Sequence, residues 1–276
     1  MTLTISATDG YPLGATLFSS PSPRAVIIVN GATGVPHKFY GRLARWLSER
    51  GAHVITYDYR GIASSRPATL KGFTGTMSDW GARDLEGVIQ WAQREYPKLP
   101  LRLVGHSVGG QVLSLAESNH HFDRIITVAS QSGYWKLWPA QTRLVMGTLW
   151  HTVMPVIPRL LGYVPGQFGI GEDLPEHIAR EWARWGRSPN YMLDHTSARE
   201  GFGRLTAPVT AWSFSDDFYA PKAAVDWLHA QMVNARVERH HLEPRELDAK
   251  NIGHFAAFRD TFAATLWPRF AEGLGL

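Results

Sequence analysis

The 276-residue chain has no cysteine, which excludes disulfides, thiolate metal sites and a cysteine nucleophile and leaves the redox compartment open. Blocks of like charge are also missing. The 28 Lys and Arg against 24 Asp and Glu give a net charge of +4 spread along the chain, so a nucleic-acid partner is not expected. The first residues, Met1-Thr2-Leu3-Thr4-Ile5-Ser6, lack the basic flank and apolar run of a secretory signal, and a cytoplasmic location is the expectation. The longest charge-free apolar run, Leu144 to Pro158, is short of the roughly 20 residues a membrane span needs and carries Pro155 and Pro158, so it reads as a buried or interfacial helix and no integral membrane segment is expected. His120-His121 and His240-His241 are adjacent pairs that diverge on any regular element, and no metal-ligand spacing accompanies them. Neither a metal nor another cofactor is expected. Internal repeats and low-complexity linkers are absent from the sequence, which leaves the oligomeric state open.

What is present describes a globular chain able to bury a large core: 44% hydrophobic, 12% aromatic and 19% charged residues. Residues 2–20 alternate weakly around Asp9-Gly10, a turn dipeptide, and predict an antiparallel hairpin at a sheet edge. After it, short β-rich runs (Ala25 to Val29, Ala52 to Tyr57, Leu101 to Val104, Arg124 to Ala129, Val209 to Phe214, Val237 to Leu242) alternate with helical patterns (Lys38 to Glu49, Ser78 to Arg94 with Ser78 as N-cap, Gly109 to Ala116, Ala223 to Met232, Phe255 to Leu274). That alternation predicts an α/β fold with a mainly parallel sheet. It stops near Gln131 and resumes near Ala207. We therefore expect one core built from residues 1–130 and 207–276, with residues 131–206 as an inserted helical cap. Its helices should run from Pro139 to Met154 and Pro175 to Trp185, with Pro155 and Pro158 ending the first.

The most specific motif is Gly105-His106-Ser107-Val108-Gly109, a G-x-S-x-G between a strand and a helix. Serine in such a strained turn projects above the sheet, and the flanking glycines avoid collision with neighbouring backbone. A hydroxyl at its ordinary pKa needs a base, and the base an orienting acceptor. In this arrangement the order is serine, acid, histidine, each beyond the carboxyl end of a strand. His254, in Asn251-Ile252-Gly253-His254-Phe255, is the expected base at the start of the last helix. In Ser215-Asp216-Asp217-Phe218-Tyr219-Ala220-Pro221, Asp217 is the expected acid and Asp216 the alternative. The Val108 amide is the natural first oxyanion donor. The second should come from Asn30-Gly31-Ala32-Thr33-Gly34: the Ala32 amide by choice, Thr33 next, with Asn30 bracing the loop. His37 reads as a solvated loop residue, and His106 as a local packing or hydrogen-bonding group. In the cap, Trp135, Trp138, Trp150, Trp182 and Trp185 either line an apolar acyl pocket or pack the cap onto the core; Trp135 and Trp138 are the expected substrate-binding pair.

With these pieces in place, together with Tyr57-Asp58-Tyr59-Arg60-Gly61-Ile62, the sequence resembles the serine aminopeptidase and monoacylglycerol-lipase-like branch of the α/β-hydrolases. The segment from Val164-Pro165-Gly166 to Glu181-Trp182-Ala183-Arg184-Trp185 looks like a bacterial subgroup of predicted hydrolases. Two departures stand out: Asn30-Gly31 where relatives have His-Gly, and Ala63-Ser64 where they have Gly-Ser. The resemblance implies hydrolysis of a carboxylic ester, thioester or amide; the cap tryptophans point to a small to medium hydrophobic acyl group in a small-molecule substrate, and the mechanism calls for no cofactor. The rival readings are carbon–carbon bond hydrolysis or acyl transfer by the same triad, and a non-catalytic ligand-binding protein with the fold.

Overall fold

Backbone pairing joins eight strands into one sheet in a computed structural model that describes residues 1–168 and 171–276. The strands are β1 (Thr2–Ser6), β2 (Pro12–Phe18), β3 (Ala25–Asn30), β4 (Ala52–Tyr57), β5 (Leu101–His106), β6 (Phe122–Val128), β9 (Val209–Phe214) and β10 (Val237–Leu242), while β7 (Tyr163–Val164) and β8 (Leu174–Pro175) form a separate two-stranded ladder. The order is β1-β2-β4-β3-β5-β6-β9-β10; β2 runs antiparallel to β1 and β4, and every other pair is parallel. The hairpin sits at one edge as its alternation implies. The central strands read as unbroken apolar runs because both faces are covered. All six residues of β3 are buried, with Ile27 in the cluster on one face and Ile28 in the cluster on the other.

Several helices differ from their patterns for identifiable reasons. Ser78 is not an N-cap: Thr76 holds that place in a capping box with Asp79. Ser78 instead donates from its amide and hydroxyl to the Glu181 carboxylate at 2.8 and 2.7 Å, tying this segment to the inserted helices. The pattern from Phe255 to Leu274 is not one helix; it divides into turns at Ala256–Phe258 and Asp260–Phe262 before the helix Trp267–Gly273. Pro268, which cannot donate a backbone bond, falls in that helix's first turn. His37 is buried rather than solvated: its amide and Nδ1 meet Asp58 at 2.6 and 2.8 Å. Burial raises the Asp58 pKa, but the bonds from His37 and Ser64 outweigh it and leave the carboxyl below its ordinary value.

Between β6 and β9 lie the helices Ala140–Leu161, Glu176–Arg187 and Ala198–Arg204. The first passes through Pro155 and Pro158 instead of ending at Met154. A wider π-type turn at Leu149–Val153 precedes the prolines, and such a turn relaxes the ladder that a proline interrupts. The result is 22 residues, long and apolar enough to cross a membrane by length and composition alone. The charge-free run Leu144 to Pro158 within it is itself short of a span, and a single helix that passes by length and composition is weak evidence for one. Here Met146, Trp150 and Met154 are buried beneath it while Leu144 and Leu160 lie exposed.

His229, fully enclosed, donates from Nδ1 to the Val225 carbonyl at 2.8 Å and accepts at Nε2 from the Thr127 hydroxyl at 2.7 Å. Burial lowers its pKa to about 4. The unfolded chain therefore takes up this proton first, so the stabilisation is complete above about pH 6.5 and is lost as pH falls toward 4, by at most ~1.4 kcal/mol per pH unit for one group. Urea unfolding at pH 7, 6 and 5 should show that decline, with a shallower slope in His229→Gln; parallel slopes would contradict the assignment.

Candidate active site

Ser107 follows β5 with φ +53°, a left-handed backbone that costs a non-glycine residue on the order of 1–3 kcal/mol. The turn is held by Ser107 N–H to Val128 O at 3.0 Å and Gly110 N–H to Ser107 O at 3.1 Å. Its glycines are required by contact. A Cβ on Gly109 would lie 2.2 Å from the Asn30 carbonyl oxygen, and one on Gly105 2.9 Å from the Gly110 backbone. Asn30 braces the same junction, donating to Gly109 O at 3.0 Å and accepting from the Tyr57 hydroxyl. The asparagine that departs from the His-Gly pattern thus ties the β3 loop to the serine turn.

His254 Nδ1 lies 2.8 Å from Asp217 Oδ2. The other carboxylate oxygen accepts from the Tyr219 and Ala220 amides at 2.8 and 3.1 Å, so Asp217 is fixed as an acceptor, Nδ1 carries the proton and Nε2 is left as a base. No described residue bonds Nε2, and His254 and Ser107 line one cavity. Asp216 acts elsewhere, since its Oδ2 accepts from the Ile252 and Gly253 amides at 2.8 and 3.1 Å and anchors the loop that presents His254. His254 stands on that loop, well before the last helix.

The choice of the Ala32 amide does not hold. Ala32 lines the cavity with Ser107, but its N–H already donates to the Tyr40 hydroxyl at 2.8 Å. Tyr40 meets His106 Nδ1 at 2.8 Å, and His106 Nε2 meets the His254 carbonyl at 2.8 Å. A carbonyl only accepts, so the polarity runs one way: His106 Nε2–H donates to His254 O, Tyr40 donates to Nδ1, and Ala32 donates to Tyr40. Burial, with His254 nearby, keeps His106 far below its ordinary pKa and therefore neutral. The amides of Thr33 and Val108 make no hydrogen bond to any described residue. Thr33 lines the cavity with Ser107, and Val108 follows that serine in the chain.

The cavity holds about 100 Å³ and is walled by Trp138, Met146, Leu149, Trp150, Met154 and Trp182 above Ser107. Trp138 lines the cavity, and its indole N–H also donates to Phe218 O at 2.9 Å in the Asp217 loop. Trp135 does not: it packs over Gly147 and against His151, away from the cavity. Trp185 is buried against Tyr191. Trp150 and Trp182, which the sequence does not distinguish from the other cap tryptophans, take the place Trp135 was given. A polar chain supports the floor, from Trp182 through Tyr191, Gln111 and Gln131 to Tyr219 O. Among the described residues no group of histidines and carboxylates is arranged to hold a metal.

An eight-stranded, mostly parallel sheet with a serine turn after its central strand and an acid and a histidine on later loops defines an α/β-hydrolase. A family model described as serine aminopeptidase, S33, matches residues 21–184. The chain belongs to that family. It is 32% identical over 114 residues to monoglyceride lipase of Rattus norvegicus, covering 40% of this chain and 36% of that protein. With the Homo sapiens enzyme it is 31% identical over 112 residues, covering 39% and 35%. The matches thus span little more than a third of those relatives' length. Similar solved structures include a soluble variant of monoglyceride lipase from Saccharomyces cerevisiae (TM-score 0.68, 15% identity, 100% of this chain and 95% of that one). Another is an esterase from Exiguobacterium antarcticum (TM-score 0.63, 17% identity, 99% and 100%). At these identities the structures speak to the fold alone.

Replacing Tyr40 with Phe removes the middle of the buried chain and leaves His106 Nδ1 without a donor. Urea unfolding should show a loss of about 1–3 kcal/mol, the cost of an unmet buried acceptor. Wild-type stability in Tyr40→Phe would contradict the polarity deduced above.

Proposed function

We propose that this chain is a serine hydrolase that cleaves carboxylic esters through an acyl-enzyme, with Ser107 as nucleophile, His254 as general base and Asp217 as the orienting acid. The observation that carries the reading is the buried His254–Asp217 pair at 2.8 Å, with its free Nε2 on the same cavity as a serine in a strained turn. Family membership and the partial likeness to monoglyceride lipases support it.

Ser107 Oγ attacks the acyl carbonyl as its proton passes to His254 Nε2, and the imidazolium is steadied by the Asp217 carboxylate. The oxyanion is held by the Thr33 and Val108 amides, donors fixed in place before reaction. The alcohol leaves with the proton from His254. Water, deprotonated by the same nitrogen, then attacks the acyl carbonyl and releases the acid and Ser107. The apolar walls suit a hydrocarbon acyl group, and neither half-reaction needs an electron or group carrier.

A fluorophosphonate probe followed by intact-mass measurement should give one adduct on wild type and none on Ser107→Ala. An adduct retained in that variant would sink the nucleophile assignment. The two aspartates should also separate on an activated ester: Asp217→Asn should lower kcat by on the order of 10⁴-fold, through loss of histidine orientation. Asp216→Asn, which only loosens the loop, should cost no more than about 10²-fold. The reverse order would exchange their roles.

A further inference from the structure

We propose that Trp150 is an acyl-length stop, and that the substrate class is esters of short acids, of about four carbons. This rests on the serine-hydrolase reading above and names the substrate of that site. A cavity of 150 Å³ takes a benzene ring, so the space of about 100 Å³ above Ser107 takes about four non-hydrogen atoms.

The stop is built into the helix Ala140–Leu161. Met146, Trp150 and Met154 stand four residues apart, and in a regular α-helix each such step turns about 40° past the previous residue. The π-type turn at Leu149–Val153 spreads more residues over one turn and offsets that drift. All three therefore reach the same cavity.

Trp150 cannot swing aside. It is 1% exposed and lies against Gly186, where an added Cβ would be 2.6 Å from the indole. Only glycine lets the helix Glu176–Arg187 come this close. The Trp182 ring crosses Trp150 at 4.8 Å and 63°, and Arg187 donates to the Trp150 carbonyl at 2.7 Å. The indole is wedged between two helices with its bulk across the path an acyl chain would follow.

The test is kcat/KM for p-nitrophenyl esters from acetate to dodecanoate. The nitrophenyl group is larger than benzene and stays outside a cavity of this size, so the acyl group is the part that enters. For wild type, the maximum should fall at butanoate or shorter, with at least a 10-fold drop by octanoate. Trp150→Ala should raise the octanoate-to-butanoate ratio at least 10-fold, Trp150→Leu should raise it by less, and Trp135→Ala, outside the cavity, should leave it unchanged. A wild-type preference for octanoate overturns the proposal whatever the variants do. So does an unchanged ratio in Trp150 variants that still take one fluorophosphonate. Wild type that takes no probe and cleaves no ester overturns the serine-hydrolase reading and this inference with it. Full labelling with a flat length profile removes the stop alone.

Discussion

The His254 backbone carbonyl can accept a hydrogen bond but never donate one, and the relation of three loops follows from that. His106 must present Nε2–H to it, must then receive a proton at Nδ1 from Tyr40, and Tyr40 must in turn receive the Ala32 amide. The chain starts in the loop after β3, passes through the residue before Ser107 and ends on the residue proposed as base. Because each link is buried, a reversed bond anywhere would leave two donors or two acceptors facing each other, at a cost comparable to a lost buried bond. Small shifts of the Ser107 turn are thereby coupled to the histidine loop and to the loop bearing the Thr33 amide.

The same constraint explains which parts of the site the sequence carried and which it did not. Strand positions were legible because covered parallel strands must be continuously apolar, and the serine turn was legible because its glycines are set by contacts at fixed spacing. His254 and Asp217 could be reached from chain order alone; the two meet at 2.8 Å, and His254 lines the cavity with Ser107. Asp216 and Asp217, however, are neighbours that only the folded loops tell apart: Asp216 meets the Ile252 and Gly253 amides, Asp217 the Tyr219 and Ala220 amides and His254 Nδ1. The Ala32 amide was misassigned because its partner, Tyr40, acts from a turn whose direction no local pattern encodes. His37 looked solvated for a similar reason: Asp58, which buries it, lies on another strand end.

Local propensity failed most in the inserted segment, where packing overrides it. Pro155 and Pro158 mark a helix end by any local rule, yet a single wider turn keeps the helix running to Leu161. Trp135 and Trp138, three residues apart, look equivalent in sequence. Only Trp138 faces inward, where the Phe218 carbonyl satisfies its indole N–H.

That long helix also shows why composition alone misreads it. Its inner residues, Met146, Trp150 and Met154, form an apolar wall of the cavity above Ser107, while Leu144, Val145, Leu160 and Leu161 are apolar and exposed. A helix apolar on both sides has the hydropathy of a membrane span, although one side is committed to a pocket within its own fold. Apolar walls beside Ser107 lower the local dielectric and so strengthen dipoles aimed into the cavity. The apolar inner face is therefore best understood as part of the electrostatics of the site, acting through the dielectric it sets.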